Sequence, residues 1–345
     1  MTTTAQFVDV KEINQQWIAW AAECVAQGYP HDSLKQAMIS EGFTEEQTQT
    51  VLGKVKNLPL YKSLEKATQK YKRAYSVMEN YRRLQEQDPF YSRIERVSSP
   101  SLHEFFYKYW LGCKPVIITN LGKDWPLLKN CTFERLLRDF GDEEVEIQFG
   151  RESDENFEIN SPRHKKNVKL SWLINQVLTT EESNDFYMTA NNQTFAKTKL
   201  GALLAEFGTL PPYMSSKKEC TGWRHFWIGP KGTVTPLHHD SCALMHMQIH
   251  GSKLWRLISP FDYGNLYNHH HVFSKVDVFN IDYNLFPMMK NVKHIDVVIN
   301  PGETLFLPIG WWHGVKSLGK NISVSMTDFA FSNNEWTYSE VRDDL

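Results

Sequence analysis

Apolar residues recur at two different periods along these 345 residues, and the change of period divides the chain. Near the N-terminus the spacing is helical. Trp17, Ile18, Ala21, Ala22 and Val25 make one apolar face, and Leu34, Ala37 and Met38 a second. Thr44 and Gln47 have capping-box spacing before a third helix that ends at Gly53. Gly28-Tyr29-Pro30 and Gly42-Phe43-Thr44 read as the turns between them. From about 60 to 87, Leu64, Ala67, Tyr71, Ala74, Met78 and Tyr81 predict one long amphipathic helix with its tyrosines packed inward. Asp88-Pro89 ends it.

Beyond residue 96 the pattern changes. Leu102 to Leu111 reads as an aromatic-rich helix and Pro115 to Thr119 as a buried strand. Helical spacing returns at Phe133 to Phe140, Leu170 to Val177 and Leu200 to Phe207. From Phe226 the signal is strand and turn: Phe226-Trp227-Ile228, Ala243 to Ile249, Lys253 to Ile258, Thr304 to Leu307 and Ile322 to Phe329. Many short strands with glycine and proline turns predict a closed or double-sheet β-architecture. The expected organisation is a helical module over 1–57, a helix and linker over 58–95, and a mainly β catalytic unit with helical additions over 96–345.

Composition narrows the class. A formal net charge of −2 gives no global field toward nucleic acid or membrane. Cys24, Cys113, Cys131, Cys220 and Cys242 are odd in number and contain no C-x-x-C, which argues against a disulfide framework or a structural zinc site. The start of the chain lacks a basic and apolar leader pattern, and no window is long enough to span a bilayer. A reducing cytoplasm is therefore the expected setting, one that also suits ferrous iron. Lys54, Lys56, Lys62, Lys66, Lys70, Lys72, Arg73, Arg82 and Arg83 outnumber Glu65 and Glu79 around the long helix. That basic stretch fits a solvated face better than an RNA contact.

The candidate chemistry sits in the β region. In Val234-Thr235-Pro236-Leu237-His238-His239-Asp240, read as a strand, His238 and Asp240 project to one side and His239 to the other. Two imidazoles and a carboxylate suit a non-haem Fe(II) with open positions opposite. The third ligand must come from a neighbouring strand. The run Glu303 to Pro308 would deliver His313, in Gly310-Trp311-Trp312-His313-Gly314, just beyond its end. His269-His270-His271 reads as a surface or substrate loop. Trp223, His225 and Trp227 fit a substrate groove or aromatic core equally well.

These motifs resemble the Jumonji-C, or cupin-like, 2-oxoglutarate oxygenases, nearest to the protein-hydroxylase branch with the asparaginyl hydroxylases. The likeness runs through Gly229 to Asp240, Met247 to Trp255, Asn300-Pro301-Gly302-Glu303 and Trp311-Trp312-His313, and weakens toward Ser101. It implies a double-stranded β-helix, or jelly roll, with Fe(II) held by His238, Asp240 and His313. It implies that Lys253 and Thr235 hold the far carboxylate of 2-oxoglutarate, with Tyr187 as the matching tyrosine. Lys253 then supplies the charge that a buried carboxylate requires, and the two hydroxyls donate to it. Where the asparaginyl hydroxylases carry asparagines, this chain has Leu244 and Thr327.

The reading that follows is a dioxygenase using Fe(II), 2-oxoglutarate and O2 to hydroxylate a C–H bond of a protein or peptide side chain, with succinate and CO2 as coproducts. Residues 1–57 resemble a ubiquitin-associated-type module that would recruit the substrate. The alternatives are hydroxylation of a modified tRNA base or small molecule, demethylation of N-methyl-lysine, and a non-enzymatic cupin-like scaffold. A homodimer stays open, and no membrane partner is expected.

Overall fold

The computed structural model describes residues 13–333 apart from 27–28, 90, 191 and 216–223. Gly28, Trp223, Cys220 and the first residues of the chain, on which expectations were placed above, lie outside the described residues. Two compact units emerge. One comprises residues 1–87 with 261–266 and 281–292, and the other the remainder of the chain.

In the first unit, helices α1 (Gln15–Ala26), α2 (His31–Ser40) and α3 (Glu45–Lys56) precede α4 (Tyr61–Gln85). Ile18, Ala21, Val25, Leu34, Met38, Val51, Leu52 and Val55 form their shared core. The capping box is present: the Thr44 hydroxyl accepts from the Gln47 amide, and the Gln47 side chain accepts from the Thr44 amide. Gly42 adopts a φ of 91°, the left-handed turn that glycine makes at least cost. Helix α3 runs through Gly53 to Lys56, because one glycine inside a packed helix costs only about 1 kcal/mol.

Helix α4 has the predicted length but not the predicted inner face. Tyr71 and Tyr81 are more than half exposed. The buried positions are Thr68 and Arg82. The Thr68 hydroxyl donates to the Val25 and Ala26 carbonyls at the end of α1, and Arg82 pairs with the fully buried Asp262 at 3.3 Å. Specific polar contacts therefore set the rotation of this helix, over its weak apolar stripe. Burial pushes Asp262 up to about 6, against the lowering effect of Arg82.

The second unit is a jelly roll. Its strands are β1 (Glu95–Val97), β2 (Val116–Ile118), β3 (Glu144–Phe149), β4 (Lys165–Lys169), β5 (Phe186–Tyr187), β6 (Arg224–Gly229), β7 (Val234–His239), β8 (Leu244–His250), β9 (Lys253–Ile258), β10 (Asn268–His270), β11 (Phe273–Ser274), β12 (His294–Ile299), β13 (Thr304–Leu307), β14 (Trp312–Ser317) and β15 (Asn321–Met326). One six-stranded sheet has the order β1-β2-β13-β8-β15-β6 and a second β10-β11-β7-β14-β9-β12. A three-stranded sheet, β4-β3-β5, carries Tyr187. Helices Phe133–Phe140 and Leu170–Thr179 share a core with Met245, Met247, Ile322, Val324 and Phe226 of the first sheet. The aromatic run after Leu102 is helical, but Phe105–Trp110 is wound as a π-helix.

Strands β12 and β14 carry no clear signal in the sequence. The sequence predicts no strand over β14, which contains Gly314. The glycine is mid-strand, where a Cβ would come 2.5 Å from the Val278 side chain. The glycine serves close packing. Among the described residues, Cys113 and Cys131 are free thiols, and no helix is long and apolar enough to cross a membrane.

Candidate metal and cosubstrate site

His238 stands near the end of β7, and Asp240 follows that strand directly. His313 arrives differently from the expectation. Thr304–Leu307 belongs to the opposite sheet, and His313 lies on β14, which pairs antiparallel with β7 so that His313 faces His238 across the ladder. Cross-strand pairing is what brings the two imidazoles together, with ring centroids 4.1 Å apart. One ligand atom from each of His238, Asp240 and His313 lies within 4.8 Å of the others. His239 is outside this group, and its ring packs edge-on against Trp312 at 4.6 Å.

Both imidazoles are preset. His238 Nδ1 is 2.8 Å from the Pro236 carbonyl, and His313 Nδ1 is 3.0 Å from the Trp311 carbonyl. A carbonyl only accepts, so Nδ1 carries the proton and Nε2 keeps its lone pair. His313 Nε2 then sits 3.6 Å from Asp240 Oδ2. Burial, reinforced by His238, pushes the His313 pKa well below its ordinary value. Two imidazole Nε2 atoms and a carboxylate would suit a divalent first-row metal, and all three residues line one cavity.

That cavity has a volume of about 1110 Å³ and is lined from both sheets. Thr235, Lys253, Tyr187, Leu244 and Thr327 all line it, together with the three clustered residues. Lys253 begins β9 and is 1% exposed. Its ammonium donates to the Tyr187 hydroxyl and the Ser323 hydroxyl, both at 2.9 Å. It makes no ion pair among the described residues. Burial alone pushes it down to about 7. Tyr187 is pushed far up, first by burial, and so stays a phenol able to donate. An ammonium with hydroxyls but no counter-charge fits the far carboxylate of a dicarboxylate such as 2-oxoglutarate.

Other contributors gave weaker signals. Ser323 sits in β15, where Asn321, Ser323 and Ser325 alternate with Ile322, Val324 and Met326, a pattern that points both hydroxyls to one face. Arg151 is fully buried. Its guanidinium lies 5.3 Å from the Tyr187 ring and donates to the Val234 carbonyl at 2.7 Å and to Glu158 at 3.1 Å. It thereby ties Tyr187 to the start of β7, a role that only the fold reveals. His225 and Trp227 line the cavity, Trp227 with its indole N–H on Ser325 at 2.9 Å. The His269–His271 run forms the β10–β11 hairpin, and β11 pairs with β7 through Phe273 opposite His238.

A family model described as a cupin-like domain matches residues 102–327. The JmjC domain-containing protein D of Dictyostelium discoideum is 33% identical over 261 residues, covering 67% of this chain and 55% of the relative. Lysine-specific demethylase 8 of Xenopus tropicalis is 30% identical over 245 residues, covering 67% and 52%. HSPB1-associated protein 1 of Rattus norvegicus is 41% identical over 100 residues, covering 27% and 21%. The chain spans about half the length of the long-matching curated relatives.

Proposed function

The chain belongs to the Jumonji-C cupin-like oxygenase family, and from that premise we propose that it is an Fe(II)- and 2-oxoglutarate-dependent dioxygenase that hydroxylates a C–H bond of a protein or peptide side chain. The observation that carries the reading is the pairing, in one cavity, of a three-residue His/Asp/His cluster with a buried lysine that has no carboxylate partner among the described residues. Bound Fe(II) and 2-oxoglutarate supply, with O2, the oxidising power to turn C–H into C–OH, leaving succinate and CO2.

The protein's own residues divide the remaining work. His238, Asp240 and His313 hold the metal, their imidazoles oriented by the Pro236 and Trp311 carbonyls. Lys253 neutralises the far carboxylate, and Tyr187 and Thr235 donate to it. Arg151 keeps Tyr187 in place. Leu244 and Thr327 line the same cavity in place of amide side chains, so the reacting residue of the substrate meets a less polar wall than in the asparaginyl hydroxylases. The helices of residues 1–57 recruit a macromolecular substrate, whose remote binding energy places the reacting bond.

The test incubates the protein with Fe(II), 2-oxoglutarate, O2 and a peptide library, reading succinate and product mass together. Metal-dependent succinate with a peptide heavier by one oxygen atom is the expected result. No metal-dependent succinate under any condition would remove the oxygenase reading. A second reading, N-methyl-lysine demethylation, draws on relatives whose names carry that activity. It predicts formaldehyde and loss of a methyl group from a methylated peptide.

A further inference from the structure

His246 is a buried polar residue for which the roles above provide no use. It sits in the middle of β8, is 3% exposed and lines the cavity. Its Nε2 has no hydrogen-bond partner among the described residues. Buried polar atoms are almost always paired, and one left without a partner on a residue that lines a cavity points to a ligand. Its neighbours are otherwise occupied. Ser325, directly across the ladder, accepts from the Trp227 indole, and Ser323 accepts from Lys253. The Trp255 ring stands 4.8 Å from His246, and its Nε1, a group that can only donate, is equally without a partner. Trp255 in turn stacks on His313 at 5.3 Å. His246 thus lines the same cavity as the metal cluster and the lysine, with Trp255 in ring contact with both it and His313.

We propose that His246 is a specificity-determining residue of the cosubstrate pocket, which donates its Nε2–H to the carboxylate neutralised by Lys253, with the Trp255 N–H as a second donor on the same wall. The inference rests on the cosubstrate reading above and adds a contact to it. The charge balance supports it. Lys253 offers one ammonium already shared between two hydroxyls, whereas a carboxylate accepts about four hydrogen bonds. A neutral imidazole donates without adding a second cation beside Lys253. It favours a ligand that ends in a charged oxygen group over a 2-oxo acid with an apolar tail.

The experiment titrates 2-oxoglutarate into anaerobic, Zn(II)-loaded protein by calorimetry, for wild type, His246→Phe and His246→Gln. A hydrogen bond to a charged group predicts roughly ten- to a hundredfold weaker binding for His246→Phe, with Zn(II) affinity unchanged. His246→Gln keeps an N–H donor and should bind closer to wild type. The wild-type protein provides a measurement without any variant: the ¹⁵N–¹H signal of the His246 ring, assigned by its loss in His246→Gln, should move on saturation with 2-oxoglutarate. Wild-type affinity in His246→Phe, or an unmoved ring signal in saturated wild type, overturns the proposal and leaves the cosubstrate reading intact. Failure of wild-type protein to bind 2-oxoglutarate at all overturns both.

Discussion

Two buried cations in the jelly roll are treated in opposite ways. Arg224, on β6, lies against Asp328, which follows β15, at 2.7 Å, and both are more than nine-tenths buried. A carboxylate neutralises that guanidinium, and the Phe207 ring lies 4.6 Å from it. Lys253, on β9, is buried more deeply, yet among the described residues two hydroxyls and the Tyr187 and Trp227 rings meet it and no carboxylate does. A charge closed by its own partner stabilises the fold. A charge left with neutral donors and acceptors costs the fold free energy, and that cost is recovered when an anion arrives.

The strongest break in this comparison removes the functional end without touching the structural one. His238→Ala or Asp240→Ala should abolish product formation while the melting temperature stays near wild type, because each deletes one of only three clustered ligands. Turnover together with metal content checks this. Full activity with normal iron would take the residue out of the metal site.

Next in size is the structural pair. Asp328→Ala strands Arg224 as an uncompensated buried charge and should cost about 3–5 kcal/mol of stability. Denaturant unfolding reads the loss directly. A cost under about 1 kcal/mol would mean that solvent already reaches the pair.

Lys253→Met should do the reverse. The 2-oxoglutarate Kd should rise roughly ten- to a hundredfold, as expected for a lost charged hydrogen bond. The fold should be as stable as wild type or more so, since a buried charge gives way to a matched apolar chain. Unchanged affinity would remove Lys253 from the cosubstrate site.

The smallest effect is a pH dependence. In the free protein burial pushes Lys253 down to about 7. A bound carboxylate favours the ammonium, so the pKa rises in the complex. Affinity for 2-oxoglutarate should therefore be flat below pH 7 and weaken above it, by up to about tenfold per pH unit. The same titration on Lys253→Met should be flat across this window. A wild-type profile that is flat to pH 9 would contradict the shift.

Helix and strand content was legible where one face decides burial. Phe133–Phe140, Lys253–Ile258 and Thr304–Leu307 match their expected bounds because periodicity alone fixes them. It failed where a neighbour decides. Helix α4 leaves Tyr71 and Tyr81 more than half exposed because the carbonyls of α1 and the carboxylate of Asp262 hold Thr68 and Arg82 inward. Strand β14 was not predicted, and its Gly314 packs close to Val278, a residue far away in sequence.

The sequence by itself determined the chemistry of the site: which side chains are present, and at what spacing along β7, follows from covalent order and the pleat of a strand. Only the tertiary structure decided how those groups meet. His313 reaches His238 through the β7–β14 ladder, Lys253 reaches Ser323 across the gap between two sheets, and Arg151 reaches Tyr187 from a separate segment. Those distances depend on strand pairing and burial between residues far apart in the chain, and no local pattern encodes them.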